Sequence, residues 1–251
     1  MKIPANGFTH AGKFHADDVF ATALLQIVRP DIRITRGFVV PDDFDGIVYD
    51  IGFGMFDHHQ EPRETRPNGV PYAAFGLLWR VLGPGLVGER QARLIDENFI
   101  QPLDLNDNTG EQNSLCDAVG FFNPVWDSKE DQDTCFFKAV AVAKQILEHQ
   151  LDSANAVNRA DEKVQQRRDT ADRLAREFKA DGIIYEQMKY CDYWGFERAL
   201  VSYIMHEEYN WPVLSIDRLY NNGNSGQLRT RVQAFVESLE IKRIQKNGGT
   251  K

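Results

Sequence analysis

The sequence predicts an α/β protein whose first part is built on a parallel sheet. Short β-like runs alternate with helical patterns in the first third of the 251 residues. Residues 32–35 and 46–51 are predicted strands, whereas residues 19–28 repeat apolar side chains at helical spacing up to Pro30. Strands that alternate with helices predict a parallel sheet with helices packed against it.

The rest of the pattern predicts helices first and a second sheet later. Residues 72–82, 89–104 and 131–178 have helical patterns, the second of them broken near Pro102. The predicted strands after Gly182 are residues 182–185, 201–205, 213–216 and 228–232, the last following a turn-rich segment at 221–226. We therefore expect a catalytic domain over residues 1–150, a helical connector over 151–180 and a smaller α+β domain over 181–251.

Composition narrows the class of protein. There are 29 Lys and Arg against 37 Asp and Glu, a net charge of −8, which argues against broad electrostatic binding of nucleic acid. A local basic pocket or bound cations can still accept phosphate. The cysteines, Cys116, Cys135 and Cys191, are odd in number and form no Cys-x-x-Cys motif, so we expect reduced thiols in a cytoplasmic protein. No leader or membrane-spanning segment is predicted.

Two short segments, residues 9–18 and 57–60, hold four of the six histidines together with several carboxylates. Each follows a candidate strand, and Asp50 ends another. In parallel sheets ligands collect at the carboxyl ends of strands, where these side chains would lie. Singly, Asp17 is explained as a helix cap and Asp50 as a turn residue. Together, imidazoles and carboxylates are the ligands of manganese, zinc or magnesium, so the set favours a metal site.

These blocks resemble the DHH phosphoesterase superfamily, named after its Asp-His-His run, and more narrowly the Myg1-type exonucleases. The matching stretches run in family order from the N-terminus to about residue 245: residues 9–17, 50–52, 56–60, 104–108, 123–126, 131–134 and 226–229. The resemblance implies a parallel-sheet catalytic domain joined by a helix to a smaller domain. It also implies two divalent metal ions in the cleft, most often Mn²⁺.

The resemblance also implies roles for individual residues. His10 and His15 would bind the first metal, Asp17 and His58 the second, and Asp50 would bridge them. His59 would face metal or phosphate, and Asp50, His58 and His59 would form the catalytic group. Asp104 is the favoured final carboxylate ligand, with Asp107 as the alternative and Asp57 as a further candidate.

Two departures from the pattern concern the substrate. Many superfamily members have Asp where this chain has His15, although the Myg1-type branch has His as well. The Gly-Gly-His motif expected near the C-terminus is absent, and the chain ends at residues 247–251. We expect the C-terminal domain to be incomplete or natively shorter, which leaves the substrate class more open than metal binding.

The predicted function is a metal-dependent phosphodiesterase, a 3′-to-5′ exonuclease acting on RNA or short oligonucleotides. Arg229 and Arg231, which alternate on a predicted strand, are candidates to clamp substrate phosphate, although solvated charges on an edge strand explain them equally well. The alternatives are a phosphoesterase for pyrophosphate or a nucleotide, and a non-catalytic scaffold that keeps the fold. Metal identity, strand polarity and oligomeric state are left open by the sequence.

Overall fold

The computed structural model describes residues 1–189, 192–218 and 225–248. Cys191 and residues 221–224 of the predicted turn lie outside the described residues. The chain divides into two compact units, Met1–Asn158 and Arg159–Lys251. Both mix helices with parallel strands, so the predicted α/β class is confirmed. Among the described residues, no helix has the length and apolar character needed to cross a membrane.

The first unit is a three-stranded parallel sheet covered by helices. Its strands lie in the order β2-β1-β3, with β1 paired to both neighbours. The elements are β1 (Asn6–His10), α1 (Ala16–Val28), β2 (Arg33–Gly37), β3 (Ile47–Val48), α2 (Ala74–Ile95), a π-helical turn (Asp96–Ile100), α3 (Gln101–Thr109), α4 (Ser114–Gly120) and the first part of α5 (Gln132–Glu177). Because all three strands are parallel, their carboxyl ends meet at one edge, where polar side chains can collect.

Helix α1 is the centre of the core. Every residue from Ala16 to Leu25 is buried, with Phe20 stacked on Phe75 of α2 at 5.5 Å between ring centroids. The helix starts with two carboxylates in its first turn, where the unpaired N–H groups favour negative charge. The core therefore fixes the position of the helix end that carries Asp17 and Asp18.

A buried arginine holds α2 and α3 together. Arg66 forms a bidentate pair with Asp96 and a second pair with Asp104, with Nη2 2.7 Å from Oδ2 of the latter. Its guanidinium lies over the ring of Tyr72 at 3.9 Å from the centroid. Gly76 of α2 is close enough to donate its N–H to Asp104 Oδ1 at 3.2 Å. Helices α2 and α3 can therefore approach this closely only because residue 76 is a glycine and has no Cβ.

The second unit is also α/β, and here the α+β prediction is wrong. Strands β4 (Ile183–Met188) and β5 (Val213–Arg218) pair in parallel through helix α6 (Asp192–Glu207), and α7 (Ser225–Gly248) follows. The predicted strands at 201–205 and 228–232 lie within α6 and α7. The alternation at 228–232 is too short to distinguish a strand from a helix. Over a longer window the apolar residues recur at i, i+4, i+7 and i+11, which is the spacing of one helical face. These residues, all half-buried, are Leu228, Val232, Phe235 and Leu239.

Substitution of Gly76 should destabilise the first unit. A Cβ there would overlap Asp104 Oδ2 and Arg66 Nη2, two buried atoms already held in an ion pair. We expect Gly76→Ala to lower the free energy of unfolding by about 1–3 kcal/mol. Gly85→Ala on the same helix is the matched control, since the described part of the chain places no neighbouring atom within 4 Å of its added Cβ, and this variant should be neutral or slightly stabilising. Equal urea midpoints for the two variants would contradict this account.

Candidate metal centre

The carboxyl edge of the first sheet carries the predicted residues. His10 is the last residue of β1, and Asp50 follows β3 by two residues. The His58 loop enters the same edge through a bridge between Tyr49 and Phe56. A cleft of about 530 Å³ opens there, lined by His10, Lys13, His15, Asp50, Ile51, Gly52, Phe53, Asp57, His58, His59, Arg63, Asp107 and Asn108.

His10 faces two carboxylates. Its Nε2 lies 3.1 Å from Asp18 Oδ2 and 3.1 Å from Asp50 Oδ2. Its Nδ1 lies 3.0 Å from the carbonyl oxygen of Ala11. Because a carbonyl oxygen can only accept a hydrogen bond, Nδ1 carries the hydrogen and donates it there, and Nε2 faces the two carboxylates. This arrangement resembles the outer-sphere support that metal-binding histidines usually receive.

Asp18 is a member of this group that the sequence reasoning missed. Its Oδ1 accepts the N–H of His15 at 2.8 Å, which caps the start of α1. Its Oδ2 is buried and lies 3.1 Å from His10 Nε2, but it makes no hydrogen bond of good geometry among the described residues. The signal in the sequence is the Asp-Asp pair at the helix start, in which the predicted ligand, Asp17, is only the first member.

Asp50 occupies the middle of the group in a strained backbone conformation. Its φ is +57°, in the left-handed region that costs a non-glycine residue about 1 kcal/mol or more. Its Oδ2 faces His10, while its buried Oδ1 lies 3.4 Å from His58 Nδ1 and 3.8 Å from His59 Nδ1 and makes no hydrogen bond with any described residue. One carboxylate therefore faces histidines on two sides, as the predicted bridging role requires.

His58 connects Asp50 to two further carboxylates. Its Nδ1 lies 3.9 Å from Asp17 Oδ2, and its Nε2 lies 2.9 Å from Asp107 Oδ2. Asp17 is buried and accepts the N–H groups of Ala74 and Phe75 at 3.1 and 2.8 Å, so the start of α2 holds its charge. Asp17, His58 and Asp107 each offer one potential ligand atom. These three atoms lie within 4.8 Å of one another, a spacing that suits a single cation.

The predicted ligand Asp104 is not brought to this group, whereas its alternative Asp107 is. Asp104 is fully buried in the ion pair with Arg66 and accepts the N–H of Gly76. Asp107, three residues along α3, lies 2.9 Å from His58 and lines the cleft. Because both carboxylates lie on nearly the same helical face, the choice depends on the position of Arg66.

The two remaining histidines lie at the surface of the cleft. His15 is 55% exposed and its Nδ1 lies 3.8 Å from Asp107 Oδ1, so it is near the group but loosely held. His59 is 57% exposed, and its Nδ1 lies 2.7 Å from Asp57 Oδ1. Asp57 also accepts the N–H groups of Phe53 and His59, and although burial raises its pKa, these bonds hold it below the ordinary value. The candidate ligand Asp57 therefore organises the loop.

The donor set carries unbalanced negative charge. Burial raises the pKa of Asp17 and of Asp18 above the ordinary value. Burial would lower the pKa of His10, but Asp18 and Asp50 raise it to about 10. Asp18 Oδ2, Asp50 Oδ1 and His58 Nδ1 are buried without hydrogen bonds among the described residues. Buried polar atoms normally have well-formed hydrogen bonds, so these carboxylate oxygens and this imidazole nitrogen, whose contacts are incomplete, fit the ligand set of a divalent cation.

The loop that follows β1 is fixed by residues distant in sequence. Asn123 receives the Phe14 N–H at 3.1 Å and donates to the Phe14 carbonyl at 2.9 Å. Arg36 donates to the Gly12 carbonyl at 2.9 Å and pairs with Asp133 of α5 at 2.7 Å. Two of the motif stretches noted in the sequence, those holding Asn123 and Asp133, thus support the loop between His10 and His15.

Arg229 and Arg231 are not on a strand. Both are exposed residues of helix α7 in the second unit, so the predicted edge-strand placement is wrong. Arg231 Nη2 donates to the carbonyl oxygen of Ser215 on β5 at 2.7 Å, which ties the helix to the sheet. Their contact with substrate phosphate stays a prediction.

Fold and site define an α/β protein with an imidazole–carboxylate cluster at the carboxyl ends of parallel strands. The MYG1 protein C694.04c of Schizosaccharomyces pombe is 28% identical over 181 residues, which cover 55% of this chain and 54% of that protein. The MYG1 exonuclease of Bos taurus is 27% identical over 195 residues, covering 61% and 51%. The predicted resemblance to the Myg1 family is confirmed. This chain spans about half the length of these relatives.

The later part of the chain resembles a different kind of protein. The family model of the D-component of 2-hydroxyglutaryl-CoA dehydratase matches residues 126–239. The putative dehydratase subunit YjiM of Escherichia coli is 29% identical over 66 residues, 26% of this chain and 17% of that protein. The two Myg1 relatives cover 55% and 61% of this chain, and the motif stretch at 226–229 lies within the residues that the dehydratase model matches. No solved structure matches the chain.

Proposed function

We propose that the Met1–Asn158 unit is a metal-dependent phosphodiesterase that hydrolyses nucleic acid, with RNA or short oligonucleotides as substrate. The observation that carries the proposal is the convergence of His10, Asp18, Asp50, His58 and Asp107 at one sheet edge, where three buried atoms make no hydrogen bond of good geometry among the described residues. The name of the bovine relative, MYG1 exonuclease, supports a nuclease and is the reason for an exonuclease rather than another phosphodiesterase. Polarity from 3′ to 5′ follows from the sequence resemblance alone.

Two divalent cations, Mn²⁺ by preference, fit the donor set. His10, Asp18 and Asp50 would hold one, and Asp17, His58 and Asp107 the other, with Asp50 facing both groups. His15 is near enough to join by rotation of its exposed ring. If bound, such cations would lower the pKa of a coordinated water and neutralise phosphoryl charge.

The chain's own residues then position the substrate and move protons. Lys13 and Arg63 line the cleft and can bind non-bridging phosphate oxygens. Asp57 accepts the Nδ1–H of His59, so the Nε2 of that exposed ring carries a proton only in the imidazolium form, and in that form it can donate the proton to the leaving oxygen. Asp50, whose two carboxylate oxygens face His10 and His58, would be the ligand that the two donor groups share.

The proposal is confined to the first unit. Residues 126–239 match the dehydratase component, so the second unit is not assigned to phosphate binding by its resemblance. A phosphoesterase for pyrophosphate or a nucleotide shares the same centre, and a scaffold protein would keep the fold without turnover. Because these alternatives keep the same fold, they are distinguished by which substrate, if any, the protein hydrolyses.

A hydrolysis screen with Mn²⁺ tests the proposed reaction. The full chain is incubated with labelled RNA, DNA, dinucleotides and pyrophosphate, with and without chelator. We expect a product ladder on RNA or shortening of dinucleotides that stops when the metal is chelated. Hydrolysis of pyrophosphate alone would indicate a small-molecule hydrolase. Metal binding without hydrolysis of any of these substrates would contradict the proposal that the protein is an enzyme.

Asp50→Asn should abolish hydrolysis and leave the fold intact. The carboxylate faces both donor groups, so its loss removes the shared ligand, whereas melting should stay equal or rise because carboxylate repulsion falls. Asp31→Asn, an exposed residue paired with Arg29, is the control and should retain full activity. Activity above about a tenth of the unsubstituted protein in Asp50→Asn would rule out the bridging role.

Mn²⁺ affinity and folding stability should depend on different carboxylates of α3, which Asp107→Asn and Asp104→Asn test separately. Loss of Asp107 removes a donor at the cluster, so Mn²⁺ affinity measured by calorimetry should fall about tenfold or more. Loss of Asp104 leaves Mn²⁺ affinity within about threefold but weakens the Arg66 pair, which should lower the free energy of unfolding by about 1–3 kcal/mol. The reverse pattern would restore Asp104 as the ligand.

A further inference from the structure

Phe53 is an exposed aromatic residue in the wall of the metal cleft. Its side chain is 70% exposed, and it is the bulkiest apolar group among the described residues that line the cleft. Single exposed apolar residues are common on protein surfaces and need no explanation. The backbone of Phe53 is what sets it apart.

The φ angle of Phe53 is +56°, in the left-handed region. A bulky side chain is a rare occupant of this region, and glycine or asparagine would adopt it at lower cost. Because the ring is exposed, its packing does not offset that cost. Residues held in such conformations cluster at ligand-binding sites, where the surrounding structure fixes them.

Asp57 fixes Phe53 in this conformation. Its Oδ2 accepts the Phe53 N–H at 2.7 Å, while its Oδ1 lies 2.7 Å from His59 Nδ1. One carboxylate therefore positions the aromatic ring and the imidazole together. Both side chains line the same cleft as the cations Lys13 and Arg63.

We propose that Phe53 is the platform on which the nucleobase next to the reacting phosphate stacks. The inference rests on the proposed function, because it needs a nucleotide substrate at the metal cluster. Cations at the cleft bind the backbone, and an exposed ring beside them supplies the face for a base, the combination by which proteins hold single-stranded nucleic acid. Stacking accepts every base, so the cleft would bind nucleotide units with little sequence preference.

The test compares substrates with and without a terminal base. Steady-state KM and kcat are measured for a short oligoribonucleotide and for the same strand with an abasic terminal nucleotide. We expect Phe53→Ala and Phe53→Gly to raise KM about tenfold for the complete strand and to leave the abasic strand within about twofold, with kcat little changed. Phe53→Trp keeps an aromatic ring at this position and should leave the KM for the complete strand close to that of the unsubstituted protein.

Phe53→Gly relieves the left-handed strain and therefore keeps the test valid if the alanine variant folds poorly. Met55→Ala is the matched control, since Met55 is 68% exposed in the same loop but is not among the described residues that line the cleft. It should leave both KM values unchanged. Equal KM effects on both strands, no effect on either, or the same effect from Met55→Ala would overturn the stacking role.

An equilibrium measurement separates this inference from the proposed reaction. A strand with 2-aminopurine at its terminal position, joined through a linkage that resists hydrolysis, is titrated with protein in the presence of Mn²⁺, and stacking should quench its fluorescence. Quenching that is lost in Phe53→Gly and kept in Met55→Ala supports the platform even if no strand is cleaved, in which case the proposed hydrolysis alone fails. Quenching equal in all variants, or absent in the unsubstituted protein, overturns the platform whether or not cleavage occurs.

Discussion

The first unit concentrates carboxylate charge at the carboxyl edge of a three-stranded sheet, and its architecture is arranged to hold that charge. Asp17 is held by N–H groups at the start of α2, Asp18 by the N–H that begins α1, and Asp57 by two N–H groups of its own loop. Helix starts and tight loops are the backbone's sources of positive potential. The buried oxygens of Asp18 and Asp50 that face His10 and His58 are left without hydrogen bonds among the described residues, which is the condition under which a cation binds well.

Arg66 performs a complementary task behind the cluster. It neutralises Asp96 and Asp104, which would otherwise add to the charge at the cleft, and it fixes how α3 faces α2. That orientation presents Asp107 rather than Asp104 to His58. Arg66 sets this orientation through both of its pairs and so matters for the composition of the centre, whereas loss of Asp104 alone mainly lowers stability because it leaves the guanidinium buried and partly unpaired.

The sequence predicted those parts of the site that strand ends determine. His10, Asp50 and His58 each follow a short apolar run, and parallel strands bring such positions together whatever the details of packing. The identity of the last carboxylate could not be predicted, because Asp104 and Asp107 are three residues apart on one helix and only tertiary contacts distinguish them. Asp18 was missed because its capping role explains it equally well. The stripe at Leu228 and Val232 fits both periods over five residues, so helix and strand could be separated only over a longer window.

The central claim is that the cluster at the sheet edge is a two-cation site with Asp50 between the ions. Anomalous diffraction at the manganese edge from crystals soaked in Mn²⁺ tests it most directly. The account predicts two peaks that share Asp50, each within about 2.5 Å of at least one other donor among His10, Asp18, His58 and Asp107. Crystals with anomalous peaks only elsewhere, and none within that distance of these side chains, would contradict it.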